Sequence, residues 1–534
     1  MVVRFTGRRG ALNMVWKQRT HLPGSRRCGS PSGPAHRPMI VAAATFGGTL
    51  RLIIVTMLII TLMLPGNVRA ITIHEEEELS AEFMTMAREA LTLVDDFVIT
   101  DYVTRIGEKI VRVVPTQPFA YRFFVVKDHT FNAFAGPGAK IFIHTGLLAA
   151  MTSEADLAGI LGHEISHVVC RHISDSIERQ KKIGMATLAG IAAGLLLGAA
   201  GGSAALGNAA SVGSMAAGQS LALSYSRDDE MQADQLGLDL LTKAGYSPAG
   251  LLEMLKKIRS QQWFGPKQIP TYLLTHPAVD DRIAYIGSWI ETHPKLPAPV
   301  VSTDFTIAHT RLMALYESEE IARKALDEAR SSDARSVWPL YGKSLLAMRT
   351  GKNEEAAILM RQALERQAFD PVMLTGMGRV YFSSGNYNEA LSILDSAVSL
   401  APDDSEAKFY LGRTQMALGK YREAAETLQS VFRRYPEHLD TLYNLGKTYG
   451  ALEKEADAAY YLGVYYKLKA DYRNAVFQLQ RALDLGVDPL RQEQIERLLK
   501  ESKKRIHLLS REAERRQRNL SSPQPLPKQP LLMR

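Results

Sequence analysis

The sequence predicts a mainly α fold in two parts: a domain of helices with a small β-sheet, then an α-solenoid. Three observations carry this. A 34-residue period runs through the C-terminal half, apolar residues recur at helical spacing in the N-terminal half, and only two short runs, near 120–127 and 140–145, read as strands.

In the first domain, residues 71–300, helices are expected around 80–113, 153–180 and 219–260. The middle one is the best defined. Ser153 and Asp156 make a capping-box-like start, and Leu157, Ile160, Leu161, Ile165 and Val168 follow at helical spacing. Within it, His163, Glu164 and His167 form an HExxH motif. Histidines at i and i+4 stand one above the other on a single helix face, so both imidazoles reach one zinc ion. Glu164 then lies beside the metal, placed to take a proton from the attacking water and pass it to a leaving amine. An ordinary helix with two surface histidines is the bland reading. A third ligand is offered in Ser226–Asp234, where Glu230 and Asp234 are again four apart. On a second helix Glu230 reaches the metal, while Asp234 accepts the far ring N–H of a zinc-bound histidine and fixes its tautomer. A solvated acidic face is the alternative.

Together the two elements resemble the HtpX-like metalloprotease superfamily, whose HExxHVxxRH and SRxxExxAD patterns are matched by residues 163–172 and 226–234. The resemblance implies a zincin-type, gluzincin-like metalloprotease domain with one zinc per chain on His163, His167 and Glu230, and Glu164 and Asp234 in the catalytic apparatus. Asn132, Ala133, Phe134 and Ala135 open a stretch that looks like the family's edge strand, to which an extended peptide adds across the zinc. A core hairpin is the other reading. His276, before Pro277, reads as a loop residue taken alone. In BepA-like members, however, the matching histidine can fill the fourth zinc position, leaving no place for water. That makes His276 a latch, one a client bound to the repeats could release through the proline-rich segment Pro294, Pro297 and Pro299.

The repeat domain is read over 303–505. Gly378, Gly412 and Gly446 are 34 residues apart, accompanied by Ala390 and Ala424, and by Pro402 and Pro436, in the tetratricopeptide pattern. Small residues let paired helices approach closely, and large ones fill the gaps. The last repeat shifts phase: Leu462-Gly463 falls 17 residues after Leu445-Gly446, so either one helix is used twice or a half-repeat is inserted. A stacked array offers a groove for extended protein segments; a passive spacer is the alternative. Residues 506–534 read as a disordered tail.

Composition bears on location. Ten of the 64 Lys and Arg lie in residues 1–70, which hold no acid, so the remainder carries 54 basic against 56 acidic residues. A near-neutral body and the lack of basic repeats with interleaved aromatics argue against a nucleic-acid partner. Leu52–Leu64 is an apolar run of signal-peptide length, and Val68 and Ala70 supply a cleavage site that puts the mature start near Ile71. An uncleaved anchor is the alternative, and Met39 is a possible true start. Residues 183–223 carry no charge and are rich in Gly and Ala. This insert reads as an apolar hairpin over the active site or on the membrane surface, with true insertion as the other reading. Only Cys28 and Cys170 occur, so no internal disulfide is expected in the mature chain.

These readings converge on an exported zinc-dependent metalloendopeptidase with a protein-binding repeat domain. The resemblance, now to BepA-like periplasmic metalloproteases, implies the periplasm of a Gram-negative bacterium. It implies a soluble or peripherally membrane-associated protein, acting on unfolded or misassembled envelope proteins and engaging the outer-membrane β-barrel assembly machinery. The alternative is a chaperone or scaffold with a latched, largely inactive zinc site.

Overall fold

The computed structural model describes residues 71–115, 118–182, 225–261, 271–293, 295–298 and 302–521. The leader with its apolar run and cleavage site, the uncharged insert 183–223, Pro294, Pro299 and residues 522–534 lie outside the described residues.

Helices α1 (Ile73–Ala90) and α2 (Phe97–Val111) replace the single helical stretch expected around 80–113. The break falls where Asp96 caps α2, its carboxylate accepting from the N–H groups of Val98 and Ile99. Strands β1 (Arg122–Val126), β2 (Ala133–Gly136) and β3 (Lys140–His144) form a sheet in the order β1-β3-β2, with β1 parallel and β2 antiparallel to β3. The sheet leaves β2 at an edge, and β2 packs beside the HExxH helix.

A short helix α3 (Thr145–Ala149) leads into α4 (Glu154–Val169), which Ser153 caps by accepting from the Asp156 N–H. Every residue of α4 from Ala155 to Val168 is buried. The helix expected to run to about residue 180 stops at Cys170, because Arg171 adopts a left-handed φ of 60°. That conformation costs about 1–2 kcal/mol for an L-residue. Opposing it, the Arg171 guanidinium donates to the Ile71 carbonyl (3.1 Å), Glu76 (3.0 Å) and Ser174 (3.2 Å). Helix α5 (His172–Lys182) starts afresh beyond the turn.

Helices α6 (Arg227–Lys243), α7 (Ala249–Gln261), α8 (Thr271–Thr275) and α9 (Val279–Thr292) complete this part. Helices α6 and α7 pack directly on α4. Glycines allow the approach: a Cβ on Gly159 would lie 2.4 Å from the Leu251 nitrogen, and one on Gly237 would lie 3.4 Å from the Gly162 carbonyl oxygen. The crossing of α4 and α6 is what brings the two metal motifs together.

The array runs through α10 (Thr303–Tyr316), α11 (Glu319–Ser332), α12 (Trp338–Arg349), α13 (Asn353–Arg366), α14 (Pro371–Ser383), α15 (Tyr387–Leu400), α16 (Ser405–Ala417), α17 (Tyr421–Arg434), α18 (Leu439–Ala451), α19 (Glu455–Leu468), α20 (Tyr472–Asp484) and α21 (Pro489–Ser521). The phase shift now has a physical account. Gly446 of α18 faces Leu462 of α19, where a Cβ would lie 2.7 Å from Cγ, and Gly463 of the same α19 faces Leu479 of α20 at 2.6 Å. Helix α19 therefore closes one pair and opens the next.

Two boundaries differ from the sequence reading. Ala308 and Leu312 of α10 are part of the core that contains α4, while Ala314 packs with Val337 and Leu340 of the array, so the first helix assigned to the repeats is shared between the two parts. Residues 506–521, expected in a disordered tail, continue α21 as helix. Its anchor is Arg505, whose Nε donates to Glu89 of α1 at 2.9 Å.

The array also grips the first domain with buried charge and aromatic surface. Arg311 of α10 donates to Asp96 (2.7 Å) and pairs with Glu406 of α16, all three side chains being buried. Phe97 stacks on His438 with ring centroids 4.2 Å apart and meets Tyr435 at 5.0 Å. Part of the face expected to receive clients is thus filled by α2. Breaking a buried pair strands its partner: Arg311→Ala is expected to destabilise the chain by about 3–5 kcal/mol, measured by denaturant unfolding, whereas a change under about 1 kcal/mol would show that the network is not a structural tie.

Candidate metal centre

Four buried side chains from three elements converge: His163 and His167 of α4, Glu230 of α6, and His276 just after α8. His163 Nε2 lies 3.0 Å from His167 Nε2, 3.3 Å from His276 Nδ1 and 3.6 Å from Glu230 Oε2. Glu230 Oε1 lies 3.3 Å from His167 Nε2 and 2.9 Å from His276 Nδ1. Ligand atoms about 2.0–2.1 Å from a tetrahedral ion stand about 3.4 Å apart, so these edges fit one metal. The charges fit as well. Glu164, Glu230 and Asp234 outnumber the one buried guanidinium, Arg282, by two carboxyls, an excess suited to a divalent cation.

Asp234 sits one turn after Glu230, and its Oδ1 lies 2.8 Å from His163 Nδ1. Donating through Nδ1 leaves the His163 Nε2 lone pair for the metal. Burial works against charge on Asp234 and Glu230, but Arg282 and His163 outweigh it and hold both carboxyls below the usual carboxylate range. Burial dominates at Glu164 and raises its pKa, against the opposing pull of His276 and His163. Both Glu164 oxygens are buried without a hydrogen-bond partner among the described residues, as is His276 Nε2, 3.6 Å away. A fully buried carboxylate left bare beside a cluster of metal-ligating atoms has the disposition of a general base facing its reactant.

Ala133, Phe134 and Ala135 are in β2, with Asn132 immediately before it, and all four are buried. Among the described residues β2 pairs with β3 alone, from Ala133 opposite Ile143 to Gly136 opposite Lys140. The Phe131 carbonyl, at the entry to this strand, accepts from the Tyr272 N–H at 3.1 Å, tying it to the short helix that carries His276. Cys170 is half-buried and is not among the converging donors.

Several contributors were not singled out from sequence. Arg282 of α9 is buried, donates from Nε to Asp234 at 2.7 Å and pairs with Glu230. Tyr285 donates to the same aspartate. Arg282 reads as one more charge after Asp280-Asp281, yet Val279, Arg282 and Ile286 fall at i, i+3 and i+7, the buried stripe of α9, and that spacing was the available signal. Tyr225 stacks on His167 at 3.7 Å, and Tyr272 on His276 at 4.2 Å.

His172, the last residue of the longer HExxH pattern, lies with Nδ1 2.9 Å from His167 Nδ1, and its Nε2 is 2.9 Å from Gln232 Oε1. One proton arrangement satisfies this chain. His167 offers the Nε2 lone pair to the metal and donates through Nδ1 to His172, which donates through Nε2 to Gln232. The left-handed turn at Arg171 is what allows His172 to meet His167. Replacing His172 by Ala is expected to weaken metal affinity about 10- to 100-fold in chelator competition with the fold retained. Unchanged affinity would show that His172 does not orient His167.

No described helix is long and apolar enough to cross a membrane. The profile of peptidase family M48 matches residues 100–290, and a tetratricopeptide profile matches residues 381–447. The β-barrel assembly-enhancing protease of Escherichia coli (strain K12) is 27% identical over 328 residues, covering 61% of this chain and 66% of that one. That of Yersinia pestis is 27% identical over 301 residues, covering 56% and 61%. The mitochondrial metalloendopeptidase OMA1 of Schizosaccharomyces pombe is 28% identical over 191 residues, covering 36% and 53%. The matched part spans less than two thirds of each relative's own length. Among solved structures, the tetratricopeptide-repeat protein YrrB is similar at 24% identity, covering 36% of this chain and 95% of that one with a TM-score of 0.26. Residues 100–290 are thus similar to peptidase family M48, and the tetratricopeptide match lies on their C-terminal side.

Proposed function

We propose that this protein is a zinc-dependent metalloendopeptidase whose repeat array engages protein clients. The observation that carries this is the bare, buried Glu164 beside the converging donors of His163, His167, Glu230 and His276. Three imidazoles and one carboxylate are a donor set suited to zinc. When bound there, zinc supplies Lewis-acid polarisation of a peptide carbonyl and lowers the pKa of water. Glu164 takes the proton of the attacking water and delivers it to the leaving amine. Asp234 and His172 hold the two α4 imidazoles in orientation, Arg282 holds Asp234 and Glu230, and the burial of α4 keeps bulk water from the reacting groups. A substrate added in extended form along β2, at Asn132–Ala135, lies beside α4 and presents its backbone to the site.

His276 is read as a latch. Its Nδ1 is among the donor atoms, so a fourth protein ligand competes with water for the metal. The latch stands on strained backbone: Pro277 follows, and Ala278 holds a left-handed φ of 62°. The names of the Escherichia coli and Yersinia pestis relatives, with the leader read from sequence, support an exported protein. Its place is the periplasm of a Gram-negative bacterium, soluble or peripherally membrane-associated, with work on unfolded or misassembled envelope proteins and outer-membrane β-barrel assembly.

Glu164→Gln is expected to lower hydrolysis of an unfolded substrate such as casein about 10²- to 10⁴-fold while zinc content stays stoichiometric. Activity near wild type with zinc bound would remove Glu164 from the mechanism. His276→Ala is expected to raise basal hydrolysis at equal zinc content. No gain in that assay would refute the latch.

A further inference from the structure

Outside the metal centre, the most ordered chemistry lies on the first helices of the repeats. In three of them the residue after the repeat glycine is basic: Arg379, Arg413 and Lys447 follow Gly378, Gly412 and Gly446, each glycine facing a leucine of the next helix. One step past that shared register point, they occupy equivalent positions on α14, α16 and α18, forming a column across the stack. One of the three is committed. Arg379 pairs with the buried Glu406 at 2.7 Å.

The other two have aromatic company in place of a counter-charge. The Arg413 guanidinium lies 4.4 Å from the ring centre of Phe382, 5.5 Å from Phe409 and 5.6 Å from Tyr410, and makes no ion pair or hydrogen bond among the described residues. Lys447 Nζ lies 5.7 Å from the Tyr443 ring, likewise without a carboxylate among the described residues. Tyr443 is itself 40% exposed and lies 5.4 Å from Tyr465. Rings hold a guanidinium by its face and leave its in-plane N–H edge free, the edge that grips a carboxylate bidentately. Neighbouring first helices pack about 8–10 Å apart, while an extended peptide advances about 3.3 Å per residue. Adjacent cations of the column therefore match carboxylates about three residues apart. Phe409, one wall of the Arg413 cage, also contacts Phe97 of α2 at 5.7 Å, so the cage adjoins the peptidase domain.

We propose that Arg413 and Lys447, with the rings of Phe382, Tyr410 and Tyr443, bind an extended acidic peptide segment. Its two Asp or Glu side chains stand about three residues apart, with an apolar side chain between them lying on the rings. The proposal rests on the reading of the array as client-binding and adds the class of client: acidic, unfolded and aromatic-tolerant.

The test is fluorescence anisotropy with the full chain carrying Glu164→Gln, so that the probe survives. The probe is a dye-labelled peptide, blocked at both ends, with two Glu three residues apart and Phe between them; its control carries Gln in both places. The Glu peptide is expected to bind at least about tenfold more tightly than the control, with Arg413→Ala losing about tenfold, Lys447→Ala about threefold, and Arg413→Lys falling between. Lys447 is exposed, so Lys447→Ala is expected to keep the wild-type unfolding curve, which separates lost binding from lost fold. Equal affinity for the two peptides, or an unchanged affinity in Lys447→Glu, would overturn the proposal. Casein hydrolysis by the wild-type chain is read separately. Hydrolysis without peptide preference sinks only this proposal, and peptide preference without hydrolysis sinks only the peptidase reading.

Discussion

Helix α4 is buried on every side, yet it carries two imidazoles and a carboxylate, and the surrounding structure answers that constraint. Polar groups without water must find partners or shed charge. Asp234 holds His163, the His172–Gln232 pair holds His167, and Arg282 satisfies the two carboxylates of α6 that face them. Arg282 is itself buried and is tolerable only because both acids are there. Both oxygens of Glu164 are left without a hydrogen-bond partner among the described residues, the free face that the proposed general-base role requires.

The legible part of the site was the part written in local spacing. His163 and His167, like Glu230 and Asp234, are four apart on their helices, and that geometry survives in any tertiary setting. His276 stood out only through the family resemblance. Arg282, Tyr225 and Tyr272 were not found, because their contact with the centre depends on how α8 and α9 return to α4, which no local pattern states. The break at Cys170–Arg171 was missed for a related reason: a left-handed arginine is unfavourable locally and is held by Ile71 and Glu76, about a hundred residues away in sequence. The repeats were the most readable element, since each glycine–leucine contact recurs with the period. Even the phase shift resolves into the same contact made on both sides of α19.

The two parts of the chain are more closely joined than a domain list suggests. Helix α10 packs Ala308 and Leu312 into the core around α4 and Ala314 into the array, and the partners of its Arg311, Asp96 and Glu406, belong to opposite sides of that junction. Phe97, packed against Phe409 and His438, extends the tie into α16 and the start of α18. A client on the first helices would therefore press on residues that contact α2 directly. This gives events on the array a short physical route to the domain that holds the metal centre.

The central claim is that three histidines and Glu230 hold one metal while Glu164 stays free. Zinc K-edge X-ray absorption on the purified protein tests it most directly. The account predicts a four-coordinate site of three imidazole nitrogens and one carboxylate oxygen, falling to two imidazoles in His276→Ala. Two imidazoles in both proteins would contradict the placement of His276, and a chain that retains no zinc would contradict the account as a whole.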